Sequence, residues 1–259
     1  MAESFVHCVR DGQVAVVTLA RPAKLNSLTP SMLDELETIA RGLEADDDVR
    51  VVVLTGSGER AFCVGADINE WAALKPLDMW RRWVRRGHQV FDQWAQLRQP
   101  VIAAINGHAF GGGLELAITA DIRIAVDTAQ FALPEASIGT GPGWSGSQRL
   151  VGLIGASHAK YLALSGARFS ADQASGCGLV HEVESSATLQ QRALTLASEM
   201  AAKAPVSLQL TKQLINAAAG EAAGMALEAM AGALAATTDD GAEGVRSFRE
   251  KRAPNYIGR

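Results

Sequence analysis

One stretch constrains the chain more than any other. Over 101–120, VIAAINGHAFGGGLELAITA, an apolar, β-branched run passes through Gly107 and three consecutive glycines, Gly111, Gly112 and Gly113, into an Ala- and Leu-rich run. The order predicts strand, glycine turn, buried helix. Glycine lets other groups approach the backbone closely, and a helix that begins there points free N–H groups at whatever lies in front of it. Such a place suits an anion or a developing oxyanion. Glu115 falls in the first helical turn of an otherwise apolar run. Taken alone, it reads as a carboxylate favoured by the helix dipole, ahead of a catalytic one.

The flanking chain alternates strand and helix signals. Two strand-like runs, 5–10 and 14–20, flank Asp11-Gly12, a tight-turn dipeptide, and predict an antiparallel hairpin. Thr29-Pro30 starts a helix whose apolar face runs Met32, Leu36, Ile39 or Ala40, Leu43, and 49–55 is a buried strand. A second glycine-bearing loop, 61–68, leads into a stretch, 71–94, that holds four of the five tryptophans among Arg81, Arg82, Arg85 and Arg86. Pro76 and Gly87 predict breaks within it. Strands follow at 121–126 and 131–133, then a third glycine-rich loop at 138–148, helices, and a strand at 179–183. Beyond 187 every signal is helical, so the expected division is a strand-and-helix core over 1–186 and a helical region over 187–259.

Bulk properties narrow the function classes. A net charge of −4 argues against nucleic-acid binding, and the arginines of 81–86 are the only feature that favours it. Cys8, Cys63 and Cys177 have no paired spacing, so neither a disulfide framework nor a metal site is expected. With no signal-peptide pattern and no apolar run of membrane-spanning length, the expected location is the cytoplasm, with no membrane partner.

The motifs, taken in order, are RPAKLNSL (21–28), FCVGADI (62–68), NGHAFGGGLELA (106–117), the Pro-Glu of FALPEASIG (131–139), PGWSGSQRL (142–150), SADQASGCGLV (170–180) and EGVRSFREKRAPNY (243–256). Together they resemble the crotonase, or enoyl-CoA hydratase/isomerase, superfamily essentially end to end. The resemblance implies an α/β fold, a spiral of β-β-α units with a C-terminal all-helical region, assembled as a homotrimer or a homohexamer. It implies a lyase of acyl-CoA and fatty acid metabolism, as in β-oxidation, that needs no cofactor because coenzyme A is part of the substrate.

By the resemblance, the backbone N–H groups of Ala66 and Gly112 form an oxyanion hole for a thioester carbonyl. Glu115 and Glu135 match the two glutamates of enoyl-CoA hydratases, which hold a water for syn addition across the 2,3 double bond; the Gly143 N–H touches that water. The roles of acid and base stay open between the two glutamates. Coenzyme A is implied at Lys24 and Leu25, along the backbone of Ala66, Asp67 and Ile68, and at Lys251. Where the family commonly has PGAGGTQ this chain has Pro142-Gly143-Trp144-Ser145-Gly146-Ser147-Gln148, so Trp144 either shapes the acyl pocket or points outward. A one-glutamate isomerase or dehydratase and a non-enzymatic RNA-binding relative are the alternatives.

Overall fold

The computed structural model describes residues 4–259. The predicted hairpin forms first: β1 (Val6–Asp11) pairs antiparallel with β2 (Val14–Leu19) across the turn at Gly12. A short 3-10 turn, Pro22–Lys24, precedes α1 (Pro30–Ala45), which is capped by the Thr29 hydroxyl accepting from the Met32 N–H at 3.2 Å, with Pro30 at its first position. Next come β3 (Val51–Gly56) and β4 (Ala61–Cys63).

The tryptophan-rich stretch is not one helix. It consists of α2 (Ile68–Trp71), α3 (Pro76–Asp78), a π-helical segment Met79–Val84, and α4 (Arg85–Ala95). Pro76 does mark a break. Gly87 does not; it lies buried inside α4, and its missing side chain leaves room for the indole of Trp144.

The opening stretch becomes β5 (Val101–Ile105), β6 (His108–Phe110) and α5 (Gly112–Ala117). Sequence reasoning predicted one strand before the glycine triplet, and the structure has two. Then follow β7 (Ile122–Val126), β8 (Gln130–Ala132), a 3-10 segment Glu135–Ile138, and α6 (Gly146–Ser165), which is kinked at Gly155. β9 (Phe169–Ser170), α7 (Ala171–Gly176), β10 (Glu182–Glu184), α8 (Leu189–Ala201), α9 (Pro205–Ala218), α10 (Ala223–Ala236) and α11 (Asp239–Glu250) complete the order.

The strands sort into two sheets, β1-β2-β3-β5-β7-β10 and β4-β6-β8-β9. From β3 to β8 each turn of the chain lays one strand in the first sheet and the next in the second, and the joins β2/β3, β3/β5, β5/β7, β4/β6 and β6/β8 are all parallel. That alternation is the spiral expected from the sequence. Every residue of β3 and β5 is buried, as strands covered on both faces require. Two side-chain amides lock the crossings: buried Asn26 donates to the Ser57 and Ala61 carbonyls at 3.0 and 2.9 Å, and Asn106 accepts from the Gly56 N–H at 3.0 Å.

The chain divides into two compact units, one ending at Gln209 and the other running from Leu210 to Arg259. The first unit thus runs past position 186, where the strand signals of the sequence end. The physical reason is α8, which packs across β2, β3, β5 and β7 and buries Leu189, Ala193, Ala197 and Ala201, so it belongs to the core. In the second unit α10 packs on α11, where the buried Glu243 accepts from Arg252 and from the Asn255 N–H, and Asp240 accepts from the Ile257 and Gly258 N–H groups. The apolar side chains Leu214, Ile215, Met225, Leu227 and Leu234 are exposed on that unit. Among the described residues no helix is long and apolar enough to cross a membrane.

The spiral depends on bare backbone contacts at glycine. A β-carbon on Gly113 would overlap the Cys63 carbonyl, whereas one on Gly152, on the exposed side of α6, would meet nothing within 4 Å. Gly113→Ala therefore destabilises the chain by about 3 kcal/mol or more. Gly152→Ala stabilises it by up to about 1 kcal/mol. Urea denaturation of both variants checks the contrast, and equal effects would contradict it.

Candidate active site

Two turns bring backbone amides together. The segment after β4 is pinned by the loop before α1: Leu28 donates to the Gly65 carbonyl at 2.8 Å, Asp67 to the Leu28 carbonyl at 2.8 Å, and Val64 to the Leu25 carbonyl at 3.2 Å. The Gly65 N–H is taken by Cys63 Sγ at 3.4 Å. The Ala66 N–H takes part in none of these bonds and borders an open cavity. Opposite, Gly111 adopts φ 51° and ψ −128°, a conformation only glycine holds cheaply, and its N–H is used by the Ala132 carbonyl at 2.9 Å. Gly112 then opens α5 with an N–H that has no intrahelical partner. A β-carbon on Gly65 would lie 3.1 Å from the Gly112 nitrogen, so the two turns touch.

The carboxyls of Glu115 and Glu135 line the same cavity of about 230 Å³. Glu115 is almost fully buried, on α5. Its Oε1 accepts from the backbone N–H groups of Trp144 and Gly146, both at 2.8 Å, and the Gly143 N–H also favours its charged form. Burial pushes its pKa up, and these amides and nearby His88 oppose that rise. Glu135 has no comparable support. Its Oε2 is buried without a hydrogen-bond partner, and burial, reinforced by the neighbouring Glu115 charge, raises its pKa to about 7.

Trp144 points inward. It is 3% exposed, lies edge-on to Phe91 at 5.1 Å and tilted against Trp83 at 5.2 Å, and fits between Gly87 and Gly112, at both of which a β-carbon would strike the indole. Trp71, Met79, Trp83 and Val84 add an apolar wall. Of the other tryptophans in 71–94, Trp94 is a core residue that donates to the Leu36 carbonyl at 3.1 Å, and Trp80 is exposed.

Of the predicted residues, Ala66, Ile68, Gly112, Glu115, Glu135, Gly143 and Trp144 line one cavity. Lys24, Leu25 and Asp67 do not line it. Lys24 is exposed at the end of its 3-10 turn, and Leu25, with φ 53°, holds the loop that supports Ala66. Asp67 is buried and paired with Arg21 at 2.7 Å, which holds its pKa down, and its N–H is spent on Leu28. Lys251 belongs to the second unit, an exposed residue just past α11. Of the arginines proposed as an RNA patch, Arg86 pairs with Asp34 and Glu37, Arg82 pairs with Asp78, and Arg81 lies over the Trp80 ring. Sequence reasoning missed Arg21 as the partner of Asp67, and it missed the group formed by Ser145, His88, Asp92 and Arg149 behind Glu115. The spacing of His88 and Asp92 by four on a helix was a readable signal for that group.

With this geometry in place, comparison with known proteins is informative. The model of the enoyl-CoA hydratase/isomerase family matches residues 10–259. The chain is 38% identical to the short-chain-enoyl-CoA hydratase of Clostridium acetobutylicum, with 94% of each chain covered. It is 39% identical to the 2,3-dehydroadipyl-CoA hydratase of Escherichia coli, over 96% of this chain and 97% of that one. Among solved structures, an enoyl-CoA hydratase from Bacillus anthracis superposes with a TM-score of 0.82 at 36% identity, covering 99% of this chain and 100% of that one.

Glu135 should leave a mark on stability. A carboxyl whose pKa rises from 4.5 to about 7 on folding holds its proton more tightly in the folded chain. Its contribution is fully present below the unfolded value and is lost as pH rises through the folded one. Unfolding free energy of the parent therefore falls across this window more steeply than that of Glu135→Gln, and the variant gains relative to the parent as pH rises. Urea titrations at several pH values check this, and parallel curves would contradict it.

Proposed function

The chain belongs to the enoyl-CoA hydratase/isomerase family, the crotonases, and from that premise we propose that it hydrates a 2,3-enoyl-CoA thioester. The N–H groups of Ala66 and Gly112 donate to the thioester oxygen as negative charge builds on it, with little reorganisation because both donors are already fixed. Glu115 acts as base. Its carboxylate is supported by amide donors, which favour the charged form. Glu135 acts as acid, because a carboxyl whose buried Oε2 has no donor keeps its proton beside a second carboxylate.

In the forward direction the water oxygen bonds to the β-carbon and one water proton passes to Glu115. The proton of Glu135 passes to the α-carbon as the enolate collapses. Exchange with solvent or between the carboxyls then resets the pair, which titrates as a unit. The observation that carries this reading is that two carboxyls and two unengaged amides border one apolar cavity. A one-glutamate isomerase or dehydratase has no use for the second carboxyl.

The test is incubation with crotonyl-CoA and with longer enoyl-CoA esters, following loss of the conjugated thioester absorbance. The parent consumes at least one of them. Glu115→Gln and Glu135→Gln each lower turnover by roughly a hundredfold or more with little change in ester affinity, since both act on the water rather than on coenzyme A. No loss of absorbance with any ester would sink the hydratase reading, and a near-normal variant would remove that glutamate from the mechanism.

A further inference from the structure

Ser145 holds φ 75°, in the left-handed region, just before α6 and directly between the two amides that grip Glu115. A side chain there is strained by its β-carbon, and glycine would occupy the same turn freely. This chain nevertheless has serine, and its hydroxyl is not idle. Ser145 is 6% exposed; its Oγ lies 3.1 Å from Asp92 Oδ1 and 3.1 Å from His88 Nδ1, both on α4. Asp92 is fixed in turn by Arg149 of α6 at 2.8 Å and by His88 Nε2 at 3.1 Å. Ser145 does not line the cavity, which rules it out as a nucleophile toward anything bound there. What its tether controls is the turn, and the turn aims the Trp144 and Gly146 N–H groups at one carboxylate oxygen.

We propose that Ser145 is a positioning residue for Glu115: its hydroxyl, tied to Asp92 and His88, holds the left-handed turn whose amides keep Glu115 aimed and ionised. The charged and titratable groups facing this arrangement are Glu135 across the cavity, His88 and Asp92 on α4, and Arg149 on α6. Loss of the tether relaxes the strained residue, withdraws the two amides, and leaves burial to raise the Glu115 pKa against only the Gly143 N–H and His88. The kinetic consequence rests on the reading of Glu115 as the base; the ionisation consequence does not.

Two readouts separate these. In an infrared pH titration of the full chain, with the Glu115 band assigned by subtraction of Glu115→Gln, Ser145→Ala moves the Glu115 midpoint up by about one pH unit or more. Ser145→Gly, which tolerates the turn without a tether, restores the parental midpoint. Asp92→Ala removes a nearby negative charge, which alone would lower the midpoint; the tether predicts a rise. In crotonyl-CoA hydration, Ser145→Ala loses about tenfold or more in kcat with little change in KM, and its acid limb moves to higher pH, while Ser145→Gly recovers to within about threefold. An unchanged midpoint in Ser145→Ala, a fall in Asp92→Ala, or a Ser145→Gly as impaired as Ser145→Ala overturns the proposal. If the parent hydrates no enoyl-CoA, the hydratase reading fails and the infrared titration alone decides the role of Ser145.

Discussion

The backbone after β4 and the backbone that opens α5 meet with no side chain between them, and the rest of the site depends on that contact. Gly65 lies against Phe110 and Gly112, and Gly113 lies against the Cys63 carbonyl. Two turns far apart in sequence thus present their free amides to one cavity. The contact also explains why the loop carrying Lys24 and Leu25 matters even though neither residue lines the cavity. Its backbone bonds to Val64, Gly65 and Asp67, with the Arg21–Asp67 pair behind them, hold the first turn against the second.

The opposite wall follows a second constraint, the burial of two carboxyls. Backbone donors and burial treat them differently: Glu115 receives amides from the turn before α6, and Glu135 receives none on its buried Oε2. An environment that separates two carboxyls in this way is what an acid and base pair requires. Trp144 joins the two walls, because its N–H serves Glu115 while its ring lies against Gly112. The apolar lining and the amide geometry are therefore coupled through one residue.

Much of the scaffold was legible in the sequence because its signals are local. Asp11-Gly12 marked the hairpin, Thr29-Pro30 marked α1, and the unbroken apolar run of 51–54 marked β3. What could not be read depends on distant partners. β6 has three residues, and its neighbours in the second sheet, β4 and β8, come from other turns of the spiral. Gly87 read as a helix break, although its role is to make space for an indole 57 positions away. α8 read as part of a helical tail because its burial against the first sheet leaves no mark distinguishing it from α9. At the site, periodicity and composition could mark Glu115 only as a dipole-favoured carboxylate. Its pairing with Glu135 came from the family resemblance, and the difference between the two carboxyls emerges only from their hydrogen bonds.

The claim on which the functional account turns is that the Ala66 and Gly112 amides polarise a thioester carbonyl. Isotope-edited infrared spectroscopy of a bound acyl-CoA, labelled at the carbonyl carbon, reads this directly and requires no turnover. The account predicts that the carbonyl stretch moves to lower frequency on binding and stays lowered in the Glu115→Gln and Glu135→Gln variants, whose amides are untouched. A bound thioester whose carbonyl stretch matches that of the free ester in water would contradict it.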